Sequence, residues 1–362
     1  MSRQPRTLVL VLAMLLVLAA CGGDGAEDTT TTAGDATETT EPMEPDETTT
    51  TAAAPEQQDV ELVFAHSYQE GQPQVECGVN IIKDVSEAAG VGLTVEVFGA
   101  SALGGDADRV ESVISGDIDV DIQGASALAS VYEPMAVADG AFVFDDSDHV
   151  YNFFTSDASD PLKDGFFEAT GVRILGAWNT GARQFTANVP IREPEDLEGL
   201  RMRFPPSPSF LLNAEAMGAE AVEVAFEELY LALQQGTVDG QENPIVNIDA
   251  INLDEVQDYI SLSAHQLSTN LIVINGETWD SLSSEQQQAL ADGVEEAMVE
   301  EPQCAAESEE ATLAEWRDSG ALEIVDDVNR DAFRERAEPF LRDAYNDAQI
   351  EVLEAIRSTA GG

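Results

Sequence analysis

From Val60 onward, strand-like runs alternate with helical patterns of ten to eighteen residues. That alternation restricts the chain to an α/β fold and predicts a parallel sheet. Strands are expected at 60–65, 93–98 and 118–123, with helices at 72–89 and from Asp106, whose charge suits a helix N-terminus. Further strands are expected at 172–178, 184–189 and 200–204, then a helix at 208–217. Phe226, Leu229, Tyr230 and Leu233 fall at i, i+3, i+4 and i+7, one apolar face of a short helix that Gly236 stops. A short strand at 237–239, a turn at Gly240 and the polar triplet Gln241-Glu242-Asn243 follow. After a helix at 246–253 come strands at 259–264 and 271–275. Ser283 and Gln286 form a capping box at the start of a helix that could reach Asp318, with a break or kink at Pro302. A strand at 322–325 and a helix from Asp331 close the chain.

The first 58 residues follow other rules. Arg3 and Arg6 precede thirteen apolar residues, 8–20, too few to span a bilayer comfortably, which makes 1–20 a secretory signal. The junction Leu18-Ala19-Ala20-Cys21-Gly22 resembles the bacterial lipobox, which makes Cys21 a lipidated N-terminus and implies an anchor on the outer face of the cell membrane. Residues 21–58 carry ten acids and no base and are Thr-rich, a composition expected to stay a disordered tether. Cys77 and Cys304 then remain as a pair in an oxidising compartment, either bridged or as two buried thiols.

Charge excludes several partners. Sixteen Lys+Arg stand against 70 Asp+Glu, a formal net charge of −54, so nucleic acid and anionic membrane surfaces are repelled. Only Lys83 and Lys163 are lysines; the other 14 bases are arginines. The run Asp117-Ile-Asp-Val-Asp121 spaces acids as a calcium loop does, but Ile122 and Leu128 stand where glycine and glutamate are needed, so no metal is expected. Nor is any other cofactor. There is no internal repeat, P-loop, CxxC or nucleophile elbow. Arg173, Arg183, Arg192, Arg201 and Arg203 lie together against four acids, a locally positive window in a strongly negative chain. Arginines kept there suit a carboxylate, which a guanidinium grips through two parallel bonds. Arg183 after a glycine turn and Arg203 beside two prolines are the two expected in a cleft; surface ion pairing accounts for the others.

Several motifs together resemble a known family. Gly181-Ala-Arg183, Pro194-Glu-Asp-Leu-Glu-Gly199 followed by Leu-Arg-Met-Arg203, and Glu228-Leu-Tyr-Leu-Ala-Leu-Gln-Gln-Gly236 followed by Thr-Val-Asp-Gly-Gln-Glu-Asn-Pro244 occur in the order and spacing of solute-binding proteins of tripartite ATP-independent periplasmic (TRAP) transporters, of the dicarboxylate/sialic-acid receptor type. Ala102-Leu-Gly-Gly105, Ser115-Gly-Asp-Ile-Asp119, Ala264-His265 and Trp279-Asp-Ser-Leu-Ser-Ser-Glu-Gln-Gln extend the likeness over about residues 60–350. The resemblance implies a two-lobed, periplasmic-binding-protein-like α/β fold (type II-like) with a hinged cleft and a long helix joining the lobes. Lobe I would comprise 59–180 plus 269–308, and lobe II 181–268 plus 309–362. Arg203 would clamp the ligand carboxylate, assisted by Arg183 and Asn243. Phe226, Trp178, Gln123 and His66 carry over as cleft lining, with core packing an open alternative for Phe226 and Trp178 and a structural hydrogen bond for His66 and His265.

The function so implied is that of a monomeric extracytoplasmic receptor, not an enzyme, which delivers a small organic acid to membrane subunits encoded elsewhere. A ligand sensor for a signalling partner is the alternative on the same fold. A hydrolase or lyase is disfavoured, because His66, His149 and His265 belong to no motif with a placed base and nucleophile. C4-dicarboxylates, sialic acid, keto acids, aromatic acids and sugar acids all satisfy one carboxylate clamp.

Overall fold

The computed structural model describes residues 58–361. The expected signal 1–20, the lipidation site Cys21 and the tether as far as residue 57 lie outside the described residues. Among the described residues, nine strands form one sheet: β1 (Val60–Ala65), β2 (Leu93–Phe98), β3 (Val120–Gly124), β4 (Val172–Ala187), β5 (Arg201–Phe204), β6 (Glu220–Glu223), β7 (Gly240–Pro244), β8 (Tyr259–Asn275) and β9 (Glu323–Val325). Their order is β2-β1-β3-β8-β4-β7-β5-β6, with β9 on β8.

Both flanks are parallel, β2-β1-β3 on one side and β7-β5-β6 on the other, as helix-connected strands should be. The centre differs from the expected parallel sheet. The segments 172–178 and 184–189 are one strand, β4, and 259–264 and 271–275 are one strand, β8. β4 pairs antiparallel with β8 from Val172↔Asn275 to Ala187↔Tyr259. The cause lies at the expected turn: Gly181 has φ 92°, and the register shifts between Asn179 and Ala182 absorb the irregularity as a bulge, without reversing the chain. One end of this ribbon meets β3 and the other meets β7, so the sheet falls into two lobes with β4 and β8 crossing between them.

The triplet Gln241-Glu242-Asn243, expected as a polar tip after a strand, is itself the middle of β7, and all three residues are buried. The other long crossing element is the helix Ser284–Ser319, 36 residues and about 54 Å at the usual rise. Its N-terminus has the expected capping box, with Gln286 N–H donating to Ser283 Oγ at 3.2 Å and Ser283 N–H to Gln286 Oε1 at 3.0 Å. Helical backbone continues through Pro302 despite the bond a proline cannot donate. Leu290 and Val294 pack with Leu62, Phe64, Ile122, Trp178 and Ile272 in one lobe. Trp316, near the other end of the helix, packs with Leu229, Ile245, Ile260 and Leu322 in the second. A third core cluster joins Phe153, Phe166, Phe185, Phe204 and Phe333. Cys77 and Cys304 form a disulfide that ties the first turn after Gln74 to this long helix.

Candidate functional site

A cleft of about 290 Å³ lies where β5 and β7 approach the loops after β1 and β3. Arg203, on β5, is only 1% exposed. Its Nε donates to the Val224 carbonyl at 2.8 Å, while Nη1 is buried with no hydrogen-bond partner. Burial pulls its pKa down to about 10; Glu242 pulls the other way and Arg183 adds to the lowering. Among the described residues Arg203 is in no ion pair. The site therefore contains a desolvated guanidinium with no carboxylate in direct contact, an arrangement that is costly unless an anion meets it.

Arg183, on β4, is in a different condition. Its Nε and Nη2 donate to the Glu242 carboxylate, Nη2 also to the Glu242 carbonyl at 2.8 Å and to Asn243 Oδ1 at 3.1 Å. The guanidinium lies 4.8 Å over the Phe210 ring. Burial would raise the Glu242 pKa, but Arg183 above all, with His265, holds it below the ordinary value. Asn243 Nδ2 donates to Gln241 Oε1 at 2.6 Å, so the amide's orientation is set by its own strand and by Arg183. Asn243, Arg183, Arg203 and Phe226 all line the cleft, and Phe226 is half-buried at its wall.

Trp178, Gln123 and His66 are not among the lining residues; Trp178 and His66 take the alternatives left open for them, core packing and a structural hydrogen bond. Trp178 is 1% exposed and packs in the core cluster with Phe64 and Ile272. Gln123 donates to Asp121 Oδ2 at 2.6 Å and to the Asp106 carbonyl at 3.2 Å, which turns it into the lobe. His66 Nδ1 accepts from Tyr68 N–H at 3.2 Å; burial, with the Arg109 charge, lowers its pKa to about 4 and keeps the ring neutral. Gln123 and His66 sit at strand ends, where a side chain can turn into the packing as readily as toward the open end, whereas Trp178 lies within β4 and faces the core. His265, 0% exposed, stacks at 4.3 Å on Phe185 and is buried behind the cleft.

Other cleft residues were not anticipated. Tyr68 Oη donates to Asn270 Oδ1 at 2.5 Å, and both line the cleft. Arg109, with no exposed surface, donates to Asp121 Oδ1 at 3.1 Å, Asp106 Oδ1 at 2.8 Å and Ser67 Oγ at 2.8 Å, bracing the lining residues Ser67 and Asp106. The one signal available was that Arg109 is the sole base between Lys83 and Lys163. Across the rim, Ser101 Oγ donates to Glu227 Oε1 at 2.8 Å. The remaining polar lining is hydroxyl, amide and carboxylate, and includes Ser126, Ser207, Asn247, Asp108, Asp139 and Glu227. Of three buried arginines around the cleft, two are neutralised by carboxylates of the chain and one is not.

Residues 64–348 match the bacterial extracellular solute-binding protein family 7. The 2,3-diketo-L-gulonate-binding periplasmic protein of Escherichia coli K12 is 31% identical over 254 residues, 70% of this chain and 77% of the relative. A TRAP periplasmic solute-binding protein from Roseobacter denitrificans, solved with bound L-galactonate, superposes with a TM-score of 0.76 at 27% identity, covering 83% of this chain and 99% of its own. One from Shewanella oneidensis, solved with bound succinate, gives the same TM-score, identity and coverage.

Proposed function

The chain belongs to the bacterial extracellular solute-binding proteins of family 7, and we propose that the organic acid it receives is a polyhydroxylated monocarboxylate clamped by Arg203. It is an extracytoplasmic receptor that binds a small carboxylate and serves a TRAP-type transporter. The single observation that carries the finer reading is the buried, unpartnered Nη1 of Arg203. With Arg183 and Arg109 already ion-paired, a second carboxylate on the ligand would face Asp106, Asp139 and Glu227 without a cation. Those same acids, with Ser67, Tyr68, Asn247 and Asn270, are acceptors and donors for hydroxyl groups. Arg183 and Asn243 hold each other and present the wall that Arg203 faces; Phe226 supplies an apolar surface.

Thermal stabilisation by L-galactonate or another aldonate, and none by succinate, is the expected outcome. Arg203→Ala and Arg203→Lys should abolish the aldonate shift with the fold intact, since an unmatched buried charge costs about 3–5 kcal/mol, on the order of a thousandfold in affinity. Equal stabilisation of parent and variant, or preference for succinate, would overturn the assignment. Lobe I is assigned to 59–180 plus 269–308 and lobe II to 181–268 plus 309–362, supported by the bulge of β4 at Gly181 and the crossing of β8. Spin labels on exposed Asp84 and Glu215 should then approach each other when the aldonate is added; an unchanged distance argues against hinged closure.

The receptor works as a monomer tethered through a lipidated Cys21 behind a cleaved signal. Support for the anchor is the thirteen-residue apolar segment ending at that cysteine. Cys21→Ser should move the protein from the membrane fraction to the soluble one, and unchanged fractionation would refute it.

A further inference from the structure

A second cavity, of about 270 Å³, shares no lining residue with the cleft. It sits where β4 and β8 cross between the lobes, walled by Gly181 and Ala182, by Ala264 to Leu267, and by Pro302 and Glu309 of the long helix. Two arginines one turn apart on the helix Arg330–Ala344 also line it, Arg330 and Arg334, and neither is in an ion pair among the described residues. Against a net charge of −54, two such cations facing one cavity gather positive charge there. Arg330 Nη2 donates to the Ala264 carbonyl at 3.1 Å, and Arg334 stacks 5.3 Å over the Phe142 ring.

Gln266 supplies a third donor. It is 2% exposed and its Nε2 has no partner. The amide cannot simply be turned round. Asn213 Oδ1 accepts from Ala141 N–H at 3.1 Å and its Nδ2 donates to the Asp139 carbonyl at 2.7 Å, which fixes that Nδ2 as donor to Gln266 Oε1 at 2.9 Å. The orphan is therefore an N–H group, and it asks for an acceptor. Two non-glycine residues of the wall also hold left-handed backbone, Phe142 at φ 58° and Ala264 at φ 40°, a strain that gathers at ligand sites. Three acids line it as well: Asp146 accepts from His149 N–H at 2.9 Å, exposed Asp145 lies 3.7 Å from His149 Nδ1, and burial pushes the Glu309 carboxyl up to about 7.

We propose that this cavity is a second ligand site, for a small carboxylate with an apolar body, whose oxygens accept from Arg330, Arg334 and Gln266 while its body lies on Phe142 and Phe144. Benzoate is a suitable probe and benzylamine its cationic counterpart, with binding measured by calorimetry on the purified protein. In the Arg203→Ala background, which removes the cleft's clamp, benzoate should still bind. Adding Arg334→Ala, or the exposed Arg330→Ala should the first variant fold poorly, should weaken it about tenfold, the loss of one charge-assisted contact. Three results would each overturn the proposal: no benzoate binding, benzoate binding indifferent to both arginines, or tighter binding of benzylamine, which would give the site to Asp145 and Asp146. Since the readout turns on Arg330 and Arg334, failure here leaves the aldonate reading of the cleft untouched, and the reverse holds.

Discussion

Glu301 has no exposed surface, although it stands on a helix rich in exposed acids. Thr180 Oγ1 donates to its Oε1 at 2.9 Å, and Oε2 has no partner. From Thr180 the hydrogen bonds continue, Asn270 Nδ2 to Thr180 Oγ1 at 2.7 Å and Tyr68 Oη to Asn270 Oδ1 at 2.5 Å, ending on two residues of the cleft wall. Burial pushes the Glu301 carboxyl from its ordinary 4.5 up to about 8, and the Thr180 bond offsets only part of that. The folded protein thus keeps a proton that the unfolded chain releases. Glu301's contribution is whole below the unfolded value and declines as pH rises, by about 1.4 kcal/mol per unit, levelling off once pH passes the folded value. Glu301→Gln keeps the Thr180 bond and removes the charge. Urea unfolding at pH 5 and pH 8 should show the variant gaining on the parent by a few kcal/mol at the higher pH, on the order of the linkage slope times the window; parallel pH profiles for the two would contradict the assignment.

At the scale of elements, the disulfide between Cys77 and Cys304 joins residues 227 apart, linking the helical segment Gln74–Val79 to the long helix. Closing so long a loop restricts the unfolded chain, and its loss should lower stability by about 2–5 kcal/mol. The Cys77→Ser, Cys304→Ser double variant should unfold at lower urea yet keep its aldonate affinity, because neither cysteine lines the cleft. An unchanged midpoint would show that the link adds nothing. Much of this level was legible from the order of residues. The capping box at Ser283, the helix Pro208–Met217 and the flanking strands follow from local patterns that packing reinforces. What escaped was non-local. A glycine with positive φ marks a turn or a bulge equally well, so β4 read as two short strands, while β8 read as two because its middle, His265 to Asn270, is mostly polar. A strand made of Gln241, Glu242 and Asn243 has no apolar face, and only its pairing with Gln184, Phe185 and Thr186 on one side and with β5 on the other explains its burial. The motif around Arg183, Arg203 and Asn243 was visible, whereas Glu242's part as the counter-charge of Arg183 depended on a neighbour 59 residues away.

The whole molecule carries 60 of its 70 acids and only 14 of its 16 bases in residues 59–362, a formal charge of −46. Compactness is opposed by that self-repulsion. Salt acts on it in two directions. Screening weakens exposed pairs such as Arg192–Asp327, Arg201–Asp239 and Arg342–Glu354, each worth about 0.2–1 kcal/mol. It also relieves repulsion among dozens of unmatched carboxylates, and these outnumber the exposed pairs several times over. The second effect should win, so the melting temperature should climb steadily as sodium chloride rises from low millimolar to about 1 M, where the screening length falls to about 3 Å. Ligand capture should obey the same sign. An anion approaching a polyanion is held off at low salt, so the association rate of an aldonate, followed by stopped-flow fluorescence, should increase with ionic strength. Steering toward a positive cleft would give the opposite slope. A rate that falls with salt would mean that the field of Arg203 and Arg183 reaches beyond the surrounding acids, and the buried arginines would then be the first thing the ligand senses, not the last.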